Sequence, residues 1–296
     1  MKNKFSAFLK GEKTEYKGQT FSRERALYGQ SNVAVQDCFF MGDEDGESAL
    51  KEVTNLAVYN TEFHLRYPLW HVQNFAVCQS IMANTCRAAC WYSKNGVVSD
   101  CKLDGIKVFR ECENLALTGI SASSPEMLWR CRRIAIAKSE INSEYFMFEC
   151  KNCEIAELKM SGKYSFQYTE NVKIENSVLN TKDAFWHSKN VTVINSELNG
   201  EYLGWYSQNL TLINCKISGT QPLCYCKNLK LVDCTMEHTD LSFEYSTVNA
   251  VVNGNIVSVK NPIGGKITAD SIGEVILEGS NRSIRCKITD KSKADS

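Results

Sequence analysis

The sequence predicts an all-β fold, a single-stranded parallel β-helix with coils of about 19 residues and three short strands per coil. Asparagine recurs at a constant interval of one coil in Asn171-Val-Lys-Ile174, Asn190-Val-Thr-Val193, Asn209-Leu-Thr-Leu212 and Asn228-Leu-Lys-Leu231. Apolar residues alternate after each asparagine, which indicates strands. A unit of this length has no room for a helix and cannot bury its own inner face, so neighbouring units must stack.

The same spacing continues towards the N-terminus. The earlier anchor positions hold asparagine with one exception, and they are Asn32, Asn55, Asn74, Asn95, Asn114, Arg133 and Asn152. A stacked column of asparagine is favoured because the amide both donates and accepts hydrogen bonds and tolerates turn geometry. A leucine-rich repeat has a similar period, but it needs several leucines per unit and a helical or extended return. The alternating return segments here favour the β-helix.

The two ends depart from the repeat and set the predicted boundaries. Residues 1–31 show no repeat and are predicted to cap the first coil, because an open end exposes a sheet edge. Residues 32–288 form the predicted β-helix domain. The next anchor after Asn228 would be Thr247, where residues 248–252 fit the repeat only loosely. Residues 289–296 are polar and are predicted to be a disordered tail.

Charge and composition narrow the classes of function. The 34 lysines and arginines equal the 34 aspartates and glutamates in number, so no long-range positive field attracts nucleic acid. No apolar run is long enough to cross a membrane, and charges interrupt the first ten residues too often for a secretory signal. We therefore expect a cytoplasmic protein with neither a nucleic-acid nor a membrane partner.

Fourteen cysteines raise the question of metal or disulfide chemistry. Cys112, Cys131 and Cys150 share one column of the repeat, where a free thiol packs as a small apolar group. Cys150 and Cys153 have the spacing of a metal hook, but structural zinc usually needs four ligands on accessible turns. No metal and no cofactor are predicted, and a reducing cytosol argues against disulfides.

The segment before each anchor divides into inward and outward columns if it alternates as a strand. Positions two, four and six before the anchor are predicted to face inward, and the tryptophans of this set are Trp70, Trp91, Trp129, Trp186 and Trp205. Positions three, five and seven before the anchor are predicted to face outward. In this outward set, Glu111, Arg130 and Glu149 are expected to form an ion-pair stack.

The outward columns also predict a long exposed strip of aromatic and polar side chains, which is unusual for a monomer. Aromatic rings stack on sugar faces, and nearby polar groups orient the sugar hydroxyls. The candidate ligand-binding residues are Tyr164, Tyr168, Phe185, His187, Tyr202, Tyr206, Tyr225 and Glu244. Two alternatives stay open: a face covered by another subunit or a terminal segment, and an ordinary surface.

Candidate catalytic residues lie within the same strip. Glycoside hydrolysis needs two carboxyl groups roughly 5–10 Å apart, and only Asp183 and Glu201 are expected to approach one another. His187 is a candidate general base because it follows Asp183 on the same segment. Solvated acids and a histidine held in an aromatic ladder are the simpler interpretations of these residues.

Several sequence segments resemble a known family. They are Arg25-Ala-Leu-Tyr-Gly29, Tyr67-Pro-Leu-Trp70, Asp183-Ala-Phe-Trp-His187, Glu201-Tyr-Leu-Gly-Trp-Tyr-Ser207 and Lys260-Asn-Pro262. Together they resemble the domain of unknown function 3737 family of uncharacterised prokaryotic proteins, over about residues 15 to 280. The stacked repeat resembles the wider pectin-lyase-like right-handed parallel β-helix superfamily. This resemblance implies a right-handed coil, and it implies sugar chemistry only by analogy of fold, with no transferable catalytic residues.

The leading hypothesis from the sequence is a protein that binds a saccharide or another small polar ligand on the aromatic strip. The first alternative is a homo-oligomerisation or scaffold module without catalysis, in which coils stack or sheets pair between subunits. A carbohydrate-active hydrolase or lyase is the second alternative.

Overall fold

The computed structural model describes residues 11–42, 47–279 and 282–293 of the chain. Within these ranges the regular structure is strand, apart from one short 3-10 helix. Each strand pairs in parallel with the equivalent strand of a neighbouring coil, so the chain is a right-handed parallel β-helix as predicted. Two compact units divide it, residues 1–154 and 155–296.

The first unit contains the strands from β1 to β15 and the start of β16. Their bounds are β1 (Thr14–Lys17), β2 (Thr20–Phe21), β3 (Ser31–Gln36), β4 (Phe39–Phe40), β5 (Thr54–Tyr59), β6 (Glu62–Phe63), β7 (Leu69–Trp70), β8 (Gln73–Cys78), β9 (Ile81–Met82), β10 (Cys90–Trp91), β11 (Lys94–Ser99), β12 (Lys102–Leu103), β13 (Glu113–Thr118), β14 (Ser121–Ser123), β15 (Arg132–Ser143) and β16 (Lys151–Lys163). The register follows the sequence repeat. Val33, Leu56 and Phe75 lie opposite one another on β3, β5 and β8.

The second unit contains the end of β16 and the remaining elements. Their bounds are β17 (Glu170–Glu175), β18 (Val178–Lys182), β19 (Lys189–Ile194), β20 (Glu197–Asn199), β21 (Gln208–Ile213), β22 (Lys216–Ser218), β23 (Leu229–Glu237), β24 (Thr247–Lys260), β25 (Gly264–Ile276), β26 (Lys287–Asp290) and the 3-10 helix η1 (Lys291–Lys293). Val172, Val191 and Leu210 lie opposite one another on β17, β19 and β21.

The core of each unit is made of columns of apolar side chains from successive coils. In the first unit, Phe40 and Phe63 are fully buried and stack with ring centroids 4.8 Å apart and planes inclined by 8°. In the second unit, Val191 and Val193 are buried on β19 while the residues between and beside them reach the surface. Alternation of this kind is what a strand with one buried face requires.

The anchor residues mark a corner at which the backbone is left-handed. The ten anchor asparagines and Arg133 have φ between 53° and 57°. Asparagine tolerates this left-handed region better than most residues with a Cβ. In the second unit, Asn190 donates from Nδ2 to Oδ1 of Asn171 at 3.0 Å, and Asn209 donates to Asn190 at 2.8 Å. Arg133 instead forms an ion pair with Glu113 at 2.6 Å.

The structure corrects the predicted N-terminal cap. Thr14 to Lys17 pair in register with β3, and Phe21 stacks on Phe40 at 4.9 Å, so the described part of residues 1–31 forms a coil of the helix. This coil escaped the repeat analysis because it lacks an asparagine anchor: Lys13 stands one coil before Asn32. Residues 1–10 lie outside the described part of the chain.

The predicted disordered tail also needs correction. Strand β26 pairs in parallel with β25, placing Ile288 opposite Ile267 and Asp290 opposite Ala269. Lys291 forms an ion pair with Asp270 at 2.8 Å. Residues 289–293 are therefore ordered. Their polar composition predicted disorder, but strand pairing and the ion pair hold the segment in place. The last three residues of the predicted tail lie outside the described residues.

Candidate functional site

The candidate site is a row of rings at the surface of the second unit, called here the tyrosine–histidine stack and formed by Tyr168, His187, Tyr206 and Tyr225. The first three are exposed and Tyr225 is half-buried. Successive ring centroids are 5.0, 5.0 and 4.8 Å apart, and successive planes are inclined by 9°, 6° and 14°. Tyr168 and Tyr206 are 48% and 47% exposed. The sequence columns therefore become one physical stripe, since each ring comes from one coil.

An unusual corner conformation positions these rings. Asp183, Phe185 and His187 have φ values of 53°, 62° and 54°, so this segment is a sequence of turns rather than a strand. The N–H of His187 donates to the carbonyl of Trp205 at 3.0 Å, whereas the N–H of Phe185 donates to the carbonyl of Ser165 at 2.9 Å. The corner is thereby hydrogen-bonded to the coils on both sides.

This corner explains why two predictions of side-chain direction were wrong. Phe185, predicted to face outward and bind ligand, is only 1% exposed and stacks on Phe166 at 5.1 Å. Strict alternation requires extended backbone at every residue, and the left-handed residues of this corner break it. Phe185 is therefore a core residue and leaves the candidate binding set.

The tryptophans predicted to face inward are half-buried instead. Trp186 and Trp205 stack in parallel at 5.4 Å beside the tyrosine–histidine stack. Their indole Nε1–H groups each donate to a main-chain carbonyl at 2.8 Å, of Tyr202 and of Gln221. The sequence analysis placed these rings in the core. The recurrence of tryptophan four residues before the anchors was the signal in the sequence that could have identified this column.

The end of the stack differs from the predicted order. Tyr225 is followed by Tyr245 at 5.9 Å with the planes inclined by 49°, and Glu244 does not continue the row. The reason is a slip in spacing, because the step from Tyr225 to Tyr245 is one residue longer than the step from Tyr206 to Tyr225. The N–H of Tyr225 accordingly donates to the carbonyl of Glu244 at 2.7 Å.

Glu244 remains beside the stack and shapes its electrostatics. Its carboxylate forms an ion pair with Lys260 at 2.9 Å, and the resulting hydrogen bond raises the pKa of Lys260. Burial and the negative charge of Glu244 raise the pKa of the Tyr225 phenol. The hydroxyl of Tyr225 therefore stays protonated around neutral pH and is available as a hydrogen-bond donor.

The candidate catalytic residues occupy the adjoining corner. The N–H of Asp183 donates to the carbonyl of Glu201 at 2.9 Å, so the two residues lie on hydrogen-bonded coils. Asp183 is 8% exposed, and burial raises the pKa of its carboxyl group, with the charge of Glu201 adding to the rise and Lys182 opposing it. Glu201 is exposed, and His187 is held between two rings of the stack.

The remaining candidates, Tyr164 and Tyr202, are half-buried near this corner. The ammonium of Lys163 lies 5.2 Å from the ring centroid of Tyr164, and Tyr202 meets Trp205 edge-on at 5.3 Å. These contacts hold both tyrosines in place. They border the tyrosine–histidine stack without belonging to it.

The geometry defines which chemistry the stack offers. Both faces of His187 and of Tyr206 are in contact with neighbouring rings. A sugar therefore meets mainly ring edges, phenol hydroxyls and imidazole nitrogens, which donate and accept hydrogen bonds. The stack is suited to a ligand rich in hydroxyl groups, bound by edge contacts and hydrogen bonds rather than by stacking on a free ring face.

Clusters of metal-ligating side chains and membrane-spanning helices are two further features to consider in the described residues. Within them, no group of three or more histidine, cysteine, aspartate or glutamate side chains is arranged to hold a metal ion. All fourteen cysteines are free thiols. No helix in the same ranges has the length and apolar character needed to cross a membrane.

Comparison with known proteins supports the fold more than the activity. The family described as "Protein of unknown function (DUF3737)" matches residues 14–289, and no curated protein matches the chain. Among solved structures, PfbA, a surface adhesin of Streptococcus pneumoniae, superposes with a TM-score of 0.51 at 10% identity, over 85% of this chain and 84% of that one.

Two further solved structures match the chain with lower TM-scores. The mannuronan C-5 epimerase AlgE4 A-module of Azotobacter vinelandii has a TM-score of 0.32 at 8% identity, covering 92% of this chain and 89% of that one. The catalytic domain of a GH87 alpha-1,3-glucanase, in complex with nigerose, has a TM-score of 0.29 at 11% identity, covering 94% and 63%. At these identities, likeness concerns architecture and leaves activity open.

Proposed function

Because the chain belongs to a family of proteins of unknown function, DUF3737, we propose a function from its own surface: the second unit binds a linear saccharide along the tyrosine–histidine stack. The observation that carries this proposal is the unbroken row of Tyr168, His187, Tyr206 and Tyr225. Exposed aromatic strips of this extent mark interaction sites more often than ordinary surface.

The spacing of the stack favours an extended ligand. Successive rings advance by 5.0, 5.0 and 4.8 Å, a step similar to the length of one sugar in an extended chain. A saccharide lying along the stack therefore presents a new set of hydroxyls to each ring. The phenol and imidazole groups bond those hydroxyls, while the half-buried Trp186 and Trp205 add an apolar border.

Affinity electrophoresis tests this proposal. The purified chain is run in native gels containing dextran, hydroxyethyl cellulose or alginate, so that neutral and anionic linear polymers are compared. We expect at least one polymer to retard the protein, and we expect the double variant Tyr206→Ala, Tyr225→Ala to bind about tenfold more weakly, since it loses two adjacent subsites.

A matched control comes from the first unit. Tyr92 is 38% exposed and stacks on His71 at 4.9 Å, so Tyr92→Ala removes a ring of the same kind away from the proposed site. This variant should be retarded like the unaltered protein. The proposal fails if no polymer retards the protein, or if the double variant and the unaltered protein are retarded equally.

An assembly module is the competing interpretation of the same exposed rings. A second subunit covering the stack would bury Tyr168 and Tyr206, which are about half exposed in the single chain. Light scattering coupled to size-exclusion chromatography separates the two functions. If Tyr206→Ala, Tyr225→Ala lowers the molar mass of the particle, the stack is a subunit interface rather than a saccharide site.

Hydrolysis of the bound saccharide is a second candidate function, and Asp183 is the observation in its favour. A general acid must be protonated near neutral pH, and burial shifts the pKa of Asp183 in that direction beside the second carboxylate, Glu201. Release of reducing ends from a retained polymer would be lost in both Asp183→Asn and Glu201→Gln. If the polymer is bound but not cleaved, the protein only binds it.

A further inference from the structure

Two cysteines occupy equivalent positions on adjacent coils of the second unit. Cys215 follows Asn209 by six residues, and Cys234 follows Asn228 by six. The N–H of Thr235 donates to the carbonyl of Cys215 at 2.9 Å, which joins the two corners directly. Equivalent residues on neighbouring parallel strands are about 4.8 Å apart, which lies within the range of Cα separations that disulfides span.

The two thiols have closely similar surroundings. The Cys215 thiol lies 3.3 Å from the carbonyl oxygen of Ile213, and the Cys234 thiol lies 3.4 Å from that of Val232. Each also lies 3.4 Å from a carbonyl oxygen of the preceding coil, that of Val193 and of Leu212 respectively. The pair therefore points the same way beneath successive corners.

A depression in the surface reaches one member of the pair. It has a volume of about 270 Å³ and is lined by Cys215 together with Asn195, Asn214, Lys216 and Asp233. Cys215 borders the depression but is itself only 2% exposed, so a reagent that reaches its sulfur must be small. Hydrogen peroxide is small enough to act there, whereas another protein is not.

The electrostatic setting distinguishes this pair from the cysteine column of the first unit. The hydrogen bond between the two thiols lowers the pKa of Cys215 and raises the pKa of Cys234. Burial raises the pKa values of Cys131 and Cys150 well above the ordinary range. The thiolate is the form of cysteine that attacks oxidants, so Cys215 is the more reactive sulfur.

We propose that Cys215 and Cys234 are a peroxide-sensitive thiol pair that closes to a disulfide between adjacent coils. In the first step, the Cys215 sulfur attacks one oxygen of hydrogen peroxide, the O–O bond breaks, and the other oxygen leaves as water after proton transfer. In the second step, the Cys234 sulfur attacks the new sulfenic acid, and the oxygen leaves as a second water. Two thiols lose two electrons, and one molecule of hydrogen peroxide becomes two of water.

The chain itself supplies tolerated substitutions for the test. Serine occupies this position on preceding coils, where the hydroxyls of Ser177 and Ser196 donate at 2.8 Å to the carbonyl two residues earlier. Cys215→Ser and Cys234→Ser reproduce that arrangement and should fold like the parent. Cys131 and Cys150 provide the matched internal control, because they also occupy equivalent positions on adjacent coils.

The experiment treats the reduced full chain with hydrogen peroxide, blocks remaining thiols with N-ethylmaleimide and analyses tryptic peptides by mass spectrometry. Trypsin cleaves after Lys216 and Lys230, so Cys215 and Cys234 fall on different peptides. We expect a disulfide-linked pair containing Cys215 and Cys234, and no link between Cys131 and Cys150. In Cys234→Ser, dimedone added as the oxidised chain is unfolded should label Cys215 as a trapped sulfenic acid, and Cys215→Ser should give neither product.

Two outcomes would overturn the proposal. One is oxidation of Cys215 no faster than that of Cys131 in the unaltered protein, a measurement that requires no variant. The other is a folded Cys234→Ser protein, verified by its far-ultraviolet circular dichroism, in which dimedone does not label Cys215 above the level of Cys131. Either result would show that the pair is ordinary core packing.

Discussion

The two units carry different chemistry on the same outward column, three residues before the anchor. In the first unit this column holds the stacked pair His71 and Tyr92 and then changes to charged residues, among which Arg130 pairs with Glu149 at 2.9 Å. In the second unit it holds the tyrosine–histidine stack, with rings about one coil apart. The coil sets the spacing in both units, and the residue type alone decides whether neighbours along the column form an ion pair or a ring contact.

The neighbouring tryptophan column shows the same contrast. In the first unit, the guanidinium of Arg110 lies 5.4 Å from the ring centroid of Trp91 and 4.6 Å from that of Trp129. In the second unit, Trp186 and Trp205 stack on one another directly. Between side chains one coil apart, a cation–π contact in the first unit takes the place of a ring–ring contact in the second. The spacing of the coils accommodates both kinds of contact.

The largest expected loss of stability comes from a ring in the core of the corner that carries the stack. Phe185→Ala removes a ring that is 1% exposed and stacked on Phe166, and we expect it to lower the free energy of unfolding by about 3–5 kcal/mol. Urea denaturation followed by circular dichroism measures the change. A loss below about 1 kcal/mol would mean that the ring is not part of the core.

A smaller loss of stability is expected for the exposed ring of Tyr206, which lies on the next coil. Tyr206→Ala removes contacts with both His187 and Tyr225, which corresponds to about 1–3 kcal/mol for two aromatic pairs. Tyr206→Phe keeps the ring and serves as the control, so its stability should match the parent in the same urea titration. If both variants lose stability equally, the hydroxyl rather than ring contact stabilises the stack.

Asp183 gives the second unit a pH dependence that a neutral side chain lacks. Its pKa is raised in the folded chain, so ionisation disfavours folding. The stability associated with this group is greatest below its unfolded pKa, about 3.9, and declines as pH rises through the higher folded value. Asp183→Asn should therefore match the parent at acidic pH and melt at a higher temperature at pH 7.

Thermal melts at several pH values check this prediction, with Glu201→Gln as a control at the exposed neighbouring carboxylate. Equal melting curves for parent and Asp183→Asn at pH 7 would contradict it. A lower melting temperature for the variant would mean that the ionised carboxylate is stabilised in the folded chain.

The smallest effect is expected on the charged column of the first unit. Arg130→Ala breaks a pair whose side chains are both exposed, so the free energy of unfolding should fall by less than about 1 kcal/mol. The difference between parent and variant should shrink further in concentrated salt, which screens exposed charges. A salt-independent loss would point to packing by the arginine stem instead.

Much of the architecture was predictable because it is periodic. The asparagine anchors and the apolar residues after them predicted the coils and the register that pairs Val191 with Leu210. The order Tyr168, His187, Tyr206 and Tyr225 followed from the same count. The prediction failed at the N-terminal coil without an asparagine anchor, and at Tyr245, where one additional residue in the coil displaces Glu244 from the row.

The sequence by itself determined the repeat, the columns that repetition creates and the residue types along each column, because a repeating chain of this length buries its apolar face only by stacking on itself. Tertiary structure alone decided which way the corner side chains point. Left-handed residues such as Asp183, Phe185 and His187 interrupt strand alternation, so Phe185 enters the core and Trp186 reaches the surface. Backbone conformation at those corners depends on hydrogen bonds to the adjacent coils, and a count along the chain does not contain that information.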